Sequence, residues 1–521
     1  MPDDQRAALA FLADPASYGL PPGTRIERID THCAAVFLAG ERALKLKRAV
    51  RFPYLDFSTM DLRERFCRAE LAINRRTAPD LYLGVRALTR EPDGRLAFDG
   101  RGETVDWVLE MRRFDQDALF DRMAEAGRLT PALMRDLADA IRRFHDAAEP
   151  VPGFGGREGF AHVLAGNLAE LDRAAAEGIL DAAAVEAVAR ESEAALARLG
   201  PLLDRRRDAG LVRRCHGDLH LRNICLIDGR PTLFDAVEFS EELATIDPLY
   251  DLAFLLMDLE HRRLRPLGNL VVNRYLDRAV EDAGAMEALA ALPLFMATRA
   301  AIRAHVSATA ARMQPDEAAA ARACAEARLY LDLARRLLKP SPPRLVAIGG
   351  LSGTGKSTLA YALAPALGAA PGARVLRSDV MRKRIMGVEP ETRLPQEGYS
   401  AEVTARVYET IRTGTAAALA AGAAVVADAV FGRPEERHAI EAVAKAASLP
   451  FDGLWLEAPP ATLEARVRSR RADASDADAA VVRRQLEQPT GAITWRRIDA
   501  GGEAGQTEAA AREALGLAND G

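Results

Sequence analysis

A chain of 521 residues is too long for one ordinary core, and a prior of about 150 residues per domain predicts roughly three units. Its formal net charge of −5 and pI of about 6.0 give no electrostatic case for nucleic acid or an anionic membrane surface. The five cysteines (Cys33, Cys67, Cys215, Cys225, Cys324) show no Cys-x-x-Cys spacing, which argues against a zinc site or a disulfide framework. No apolar run approaches the roughly 20 residues of a spanning helix, and the first residues lack a basic-then-apolar leader. The expectation is a globular, cytoplasmic protein without nucleic-acid or membrane partners.

Residues 3–13 read as a short helix. Strands follow at 25–29, 34–38 and 43–47, the last two joined by the turn Ala39-Gly40-Glu41-Arg42. Side chains alternate along a strand, so Lys45 and Lys47 share one face of the third. A helix over about 59–76 carries Glu64 and Glu70. Further strands are expected at 81–89, 95–98 and 104–111, with Pro92-Asp93-Gly94 as turn chemistry. From Asp115 the pattern turns helical (131–148, 160–176, 182–207). A loop and hairpin interrupt it at 214–235, and helices return from 248 to 338. Arg299 and Arg303, one turn apart in that last stretch, read as a solvated face in preference to an acceptor pocket. Lys339-Pro340-Ser341-Pro342-Pro343 is the clearest linker, because three prolines in four residues cannot continue a helix. Beyond it, strands at 345–348, 374–376, 423–427, 453–456 and 494–498 alternate with helices and predict a parallel sheet.

Two stretches carry chemistry. In the first, His216-Gly217-Asp218-Leu219-His220-Leu221-Arg222-Asn223 is followed by Asp235 at a strand end. Two acids and an amide at these intervals suit metal-assisted phosphoryl transfer, with Asp218 accepting a hydroxyl proton and Asn223 and Asp235 holding Mg²⁺. A lysine of the small sheet, Lys45 or Lys47, would bind phosphate and pair with Glu70. His216 and His220 read as structural hydrogen-bonders, and His145 as a satisfied helix histidine. Cys215 and Cys225 read as small apolar residues.

Residues 20–338 resemble the aminoglycoside phosphotransferase family, with its choline/protein-kinase-like fold. The resemblance rests on the 216–223 stretch, Asp235, and Ile246-Asp247-Pro248-Leu249-Tyr250-Asp251-Leu252-Ala253. It implies that Asp218 is the catalytic base, that Asn223 and Asp235 are metal ligands, that Asp251 braces the catalytic loop, and that 110–114 is the hinge beside adenine. Two departures stand out. Asp30-Thr31-His32-Cys33 replaces a glycine-rich flap. Ala236-Val237-Glu238 follows Asp235 where protein kinases have Phe-Gly, which favours a small-molecule acceptor.

The second stretch is Gly350-Leu351-Ser352-Gly353-Thr354-Gly355-Lys356-Ser357-Thr358, between a strand and a helix. That context makes it a phosphate-binding loop: backbone N–H groups and a helix N-terminus face the phosphates, Lys356 reaches them, and Ser357 offers a hydroxyl to Mg²⁺. The next strand ends at Asp379, placed to orient or deprotonate an acceptor, with Arg382 on the following turn to hold acceptor or phosphoryl group. Asp428 ends another strand and reads as a metal or acceptor ligand. Arg466 and Arg470, at i and i+4, read as a closing lid. Residues 344–500 resemble P-loop kinases of the zeta-toxin, gluconate-kinase and polynucleotide-kinase type.

The sequence thus predicts an α+β bilobal, protein-kinase-like region (1–338; small lobe about 20–112, helical lobe about 113–338), a linker (339–343) and an α/β P-loop domain (344–521). That domain has a parallel sheet with helices on both faces. The order resembles the bifunctional aminoglycoside phosphotransferase/ATP-binding proteins. The expected activity is Mg·ATP-dependent transfer to small-molecule hydroxyls at two sites. Alternatives are a P-loop ATPase switch regulating the first kinase, a 5′-hydroxyl kinase of nucleic acid, and a nucleotide-binding module without chemistry.

Overall fold

The structure, a computed structural model, describes residues 5–31, 33–52, 55–278, 284–314, 316–469 and 474–517. It divides into two compact units, Met1–Gly155 with Arg207–Leu255, and Gly156–Arg206 with Leu256–Gly521. A kinase-like fold and a parallel α/β P-loop fold are both present, as the sequence predicts.

The first unit begins with helix α1 (Arg6–Ala13) and strands β1 (Glu27–Asp30), β2 (Ala34–Ala39) and β3 (Arg42–Lys47). Helix α2 (Met60–Asn74), capped by the Thr59 hydroxyl on Leu62 N–H, precedes β4 (Tyr82–Arg90), β5 (Leu96–Phe98) and β6 (Glu103–Arg112). The strands form one antiparallel sheet in the order β1-β2-β3-β6-β4-β5. Alternation divides its faces. Phe37, Leu44, Leu46, Leu88 and Val108 pack against Ala8 and Leu12 of α1, whereas Lys45 and Lys47 point to the face that α2 covers. Helix α3 (Pro131–Asp146) follows, and then α4 (Gly156–Ala176) and α5 (Ala182–Asp208), which fall almost wholly in the second unit. Strands β7 (Ile224–Ile227) and β8 (Arg230–Leu233) make the hairpin expected from Asp228-Gly229, both of which have positive φ as a tight hairpin turn requires. Helix α6 (Pro248–His261) carries Asp251.

In the second unit, α7 (Arg265–Asp277), α8 (Leu292–Arg312) and α9 (Glu317–Leu338) precede β9 (Leu345–Gly350) and α10 (Lys356–Leu363). The chain continues through β10 (Arg374–Arg377), α11 (Ser378–Ile385), α12 (Ala401–Ala420), β11 (Val425–Asp428), α13 (Pro434–Ala446) and β12 (Phe451–Glu457). It ends with α14 (Pro460–Ser469), α15 (Ala479–Glu487), β13 (Arg496–Asp499) and α16 (Ala504–Leu515). All five strands run parallel in the order β10-β11-β9-β12-β13. Val346 and Ile348 pack on α10 and α16, while Leu345 and Ala347 pack on α12 and α13, so both faces are covered.

Within the second unit, α7 meets the parallel sheet at strand β10. Strand β10 is a sheet edge, and α7 satisfies its outward backbone groups with side chains. Asn273 Oδ1 accepts from Val375 N–H at 2.8 Å, and Asn269 and Asn273 donate to Ala373 O at 3.0 and 3.1 Å. Arg374 bonds Asp277 Oδ1 at 2.6 Å and Asn273 Oδ1 at 2.9 Å. Met286 and Leu289 pack on the same core. Two asparagines thus stand in for a missing strand and keep the edge from pairing elsewhere. Arg299, expected on a solvated face, is instead buried, and Arg303 lies over the Tyr330 ring at 5.5 Å. Among the described residues no helix is long and apolar enough to cross a membrane.

Asn273→Ala removes a buried partner of both Val375 N–H and Arg374. It is expected to cost about 1–3 kcal/mol of stability, read as a lower denaturation midpoint in urea. A midpoint equal to wild type would show that the edge needs no cap.

Candidate active sites

In the first unit a line of alternating charge crosses from β3 to the segment after β8. Glu70 on α2 gives one carboxylate oxygen to each lysine, Oε1 to Lys45 Nζ at 2.7 Å and Oε2 to Lys47 Nζ at 2.6 Å. Lys45 Nζ also lies 2.6 Å from Asp235 Oδ1, and Lys47 Nζ bonds Glu238. Burial alone would push the Glu70 carboxyl up, but the two ammonium groups hold it at about 2. Burial would likewise lower Lys45, yet Asp235 and Glu70 raise it well above its ordinary value. The two lysines differ in partner and in exposure. Lys45 is the one that reaches Asp235, while the Lys47 side chain is 2% exposed and turned inward under the Phe57 ring.

Asp235 adopts a φ of +61°, a left-handed conformation that needs support in a non-glycine residue. The support is explicit: Asp235 N–H donates to Tyr82 Oη at 3.0 Å and Ala236 N–H to Asn74 Oδ1 at 2.9 Å. Val237 N–H donates to His216 O at 2.9 Å, which ties this segment to the loop bearing Asp218. That loop is itself braced from α6. Asp251 accepts from His216 N–H at 3.0 Å and Gly217 N–H at 2.8 Å, and His145 Nε2 lies 3.0 Å from it. His216 bonds Phe234 O through Nε2 at 2.9 Å, with Nδ1 accepting from Asp218 N–H at 3.3 Å. Burial lowers its pKa despite Asp251, which suits a neutral orienting imidazole. Asn223 Nδ2 donates to Asp218 Oδ2 at 2.8 Å and to Asp218 O at 3.0 Å. With its nitrogen turned to Asp218, Asn223 keeps a carbonyl oxygen to offer, and the Asp235 carboxylate is the second candidate donor. That all-oxygen donor set fits a small hard cation such as Mg²⁺. The Asp218 carboxylate itself is 41% exposed and accessible to an incoming hydroxyl.

In the second unit the loop leaves the central strand β9 with Gly350, Gly353 and Gly355 at φ of +138°, +88° and +90°. A Cβ on Gly353 would meet Leu463 O at 2.7 Å, and one on Gly350 would meet Leu456 O at 2.6 Å, so the cradle closes only with glycine. Thr354 Oγ1 donates to Leu351 O at 2.8 Å, as does Lys356 Nζ at 2.9 Å; Thr358 is exposed on the first turn of α10. Ser357 Oγ donates to Asp428 Oδ2 at 2.5 Å, placing a hydroxyl and a carboxylate oxygen together as a hard cation requires. Arg377 Nε lies 3.4 Å from the same Asp428 oxygen. Asp379, one residue into α11, has its pKa raised by burial, with Arg377 opposing and Asp428 adding to the rise.

The remaining expected residues are placed less simply. Arg382 is buried, donating to Gly398 O at 2.8 Å and Thr404 Oγ1 at 3.2 Å under the Tyr399 ring at 4.9 Å. Arg466 is committed to Ala500 O at 2.7 Å and Gly502 O at 2.6 Å, where a turn leaves two carbonyls in need of donors, and is not presented to the loop. Arg470 lies outside the described residues. Sequence reasoning overlooked Gln485 of α15, which accepts from the loop's Ser352 N–H at 2.8 Å. It also overlooked Asp476, which gathers Lys383 Nζ and Tyr399 Oη at 2.5 Å and Leu394 N–H at 2.9 Å. Glu238 was visible only as a departure from Phe-Gly, although an acid three residues after Asp235 is a signal in its own right.

Comparison with known proteins agrees with this division of chemistry. The family described as "Phosphotransferase enzyme family" matches residues 106–292, and the one described as "AAA domain" matches residues 345–490. Among solved structures, the chain is similar to a choline/ethanolamine kinase family protein from Mesorhizobium loti. The identity is 17%, over 62% of this chain and 97% of that one, at a TM-score of 0.37. It is also similar to a gluconokinase from Sinorhizobium meliloti 1021, at 19% identity over 34% of this chain and 94% of that one, with a TM-score of 0.24. The "Uncharacterized protein Rv2004c" of Mycobacterium tuberculosis (strain ATCC 25618 / H37Rv) is 30% identical over 484 residues, 91% of this chain and 92% of its own. With both halves matched along nearly the whole length, the chain belongs to the same family as Rv2004c, and is itself a kinase-type phosphotransferase in which an aminoglycoside-phosphotransferase-like region precedes a P-loop kinase domain.

Proposed function

We propose that this phosphotransferase has two ATP sites, each transferring the γ-phosphate to a hydroxyl of a small molecule such as a sugar, aminoglycoside or nucleoside. The observation that carries the reading is that each unit gathers the same three parts from distant stretches. These are a lysine for phosphate, a pair of hard oxygen donors, and a carboxylate for the acceptor. In the first unit they are Lys45, Asn223 with Asp235, and Asp218. In the second they are Lys356, Ser357 with Asp428, and Asp379.

Magnesium, when bound, would neutralise charge on the nucleotide's phosphates. The protein's own contribution is positional. Lys45, held by Glu70, presents its ammonium to phosphate. Asp218, oriented by Asn223 and by the loop that Asp251 holds, accepts the acceptor's proton as the new P–O bond forms. In the second unit the loop N–H groups and Lys356 hold the nucleotide, and Asp379 takes the proton. Arg382 shapes the acceptor side from beneath Tyr399. A net charge of −5 favours small acceptors over nucleic acid.

The test is ATP-dependent gain of one phosphate by candidate hydroxyl compounds, followed by mass. Asp218→Asn is expected to reduce one transfer by about 10²–10⁴-fold and Lys356→Ala to silence the other. If both transfers survive either change, the reading fails. The raised pKa of Asp379 adds a pH signature, because a general base works only when deprotonated. The second transfer should fall as pH drops through a value above the ordinary aspartate range of about 3.9. An acid limb at or below that range would remove Asp379 from the role.

A further inference from the structure

Asp235-Ala236-Val237-Glu238 is joined to the lysines of β3 at both ends, and the reaction proposed above uses only one of those joints. At the outer end Asp235, 42% exposed, meets Lys45, 15% exposed. At the inner end Glu238, 7% exposed, meets Lys47, 2% exposed. Glu70, with no exposure, bridges the two lysines and completes a line of five alternating charges whose ends lie on one short segment. The outer joint is open to solvent and to a ligand; the inner one is closed to both.

That asymmetry has a consequence for binding. Asp235 Oδ1 is taken by Lys45 Nζ at 2.6 Å, and a nucleotide phosphate would compete with it for that ammonium. A lysine drawn to phosphate would leave Asp235 without the ammonium it holds here, while the residue keeps a left-handed φ of +61°. Neutral bonds from Tyr82 and Asn74 hold the backbone, but the inner ion pair is the charged anchor that does not change hands.

We propose that Lys47 and Glu238 are positioning residues that fix the Asp235 segment while Lys45 exchanges Asp235 for the nucleotide's phosphates. One lysine therefore moves between partners and its neighbour on the same strand face stays fixed. Glu70 serves both, one oxygen each, so the moving lysine never leaves a buried carboxylate without a counter-charge. The inference rests on the reading of the first site given above and adds to it two residues that touch neither phosphate nor acceptor.

The test uses the full chain carrying Lys356→Ala, so that the P-loop does not bind, titrated calorimetrically with the non-hydrolysable analogue AMP-PNP with and without Mg²⁺. Glu238→Gln is expected to weaken the Mg²⁺-dependent affinity about 10–100-fold, as for partners that orient metal ligands, while Mg²⁺-free binding stays within about twofold. Lys47→Met should do the same, and the two effects should not add in the double variant. That double variant leaves neither buried charge alone, so it supplies the measurement if a single change prevents folding. Unchanged Mg²⁺-dependent affinity, or an equal loss with and without Mg²⁺, would overturn the proposal. If the Lys356→Ala chain binds no AMP-PNP at all, the first site's reading falls and this inference with it.

Discussion

A carboxylate with no access to water has to be neutralised where it stands, and around Glu70 that requirement organises the first unit. Two ammonium groups meet it, one per oxygen, because strand alternation places Lys45 and Lys47 two residues apart on one face. Each lysine then has donors to spare, and those donors reach Asp235 and Glu238 on a segment far along the chain. The segment in turn holds His216, whose loop carries Asp218 and is braced by Asp251. One buried charge thus links the strand that bears Lys45 to the loop that bears Asp218. Its partners also explain the pKa pattern, a carboxyl held low between cations that are themselves held high.

The second unit depends more on backbone geometry than on buried side-chain charge. Parallel strands bring the ends of β9, β10 and β11 to one rim, where Gly350, Asp379 and Asp428 are found. The loop is shaped by glycines that no other residue can replace without meeting Leu463 O or Leu456 O. The strand that leads to Asp379 is an edge strand, and it keeps its register because Asn269, Asn273 and Asp277 bond its free side. Helix α7 therefore supports this edge strand, although the family match for the P-loop domain begins at residue 345.

What could be read from sequence was what local geometry dictates. The loop at 350–358 announced itself because positive φ demands glycine, and the Asp228-Gly229 hairpin did so for the same reason. Asp218, Asn223 and Asp235 were legible because one loop and one hairpin fix their spacing. Partnerships across long separations left no such trace. Lys47 and Glu238 lie 191 residues apart, and nothing near either predicts the pair. Asn269 and Asn273 look like ordinary polar helix positions until β10 lies against them. The i, i+4 spacing of Arg466 and Arg470 could place them on a common helix face, but could not foresee that the Ala500 and Gly502 carbonyls would claim Arg466.

The two nucleotide sites proposed for this chain are built on different folds and would fill independently. Equilibrium binding of AMP-PNP in the presence of Mg²⁺ to the full chain counts them directly. The expected result is two molecules per wild-type chain, one after Lys356→Ala, one after Lys45→Met, and none when both changes are combined. A single site in the wild-type chain that disappears with Lys356→Ala alone would contradict it.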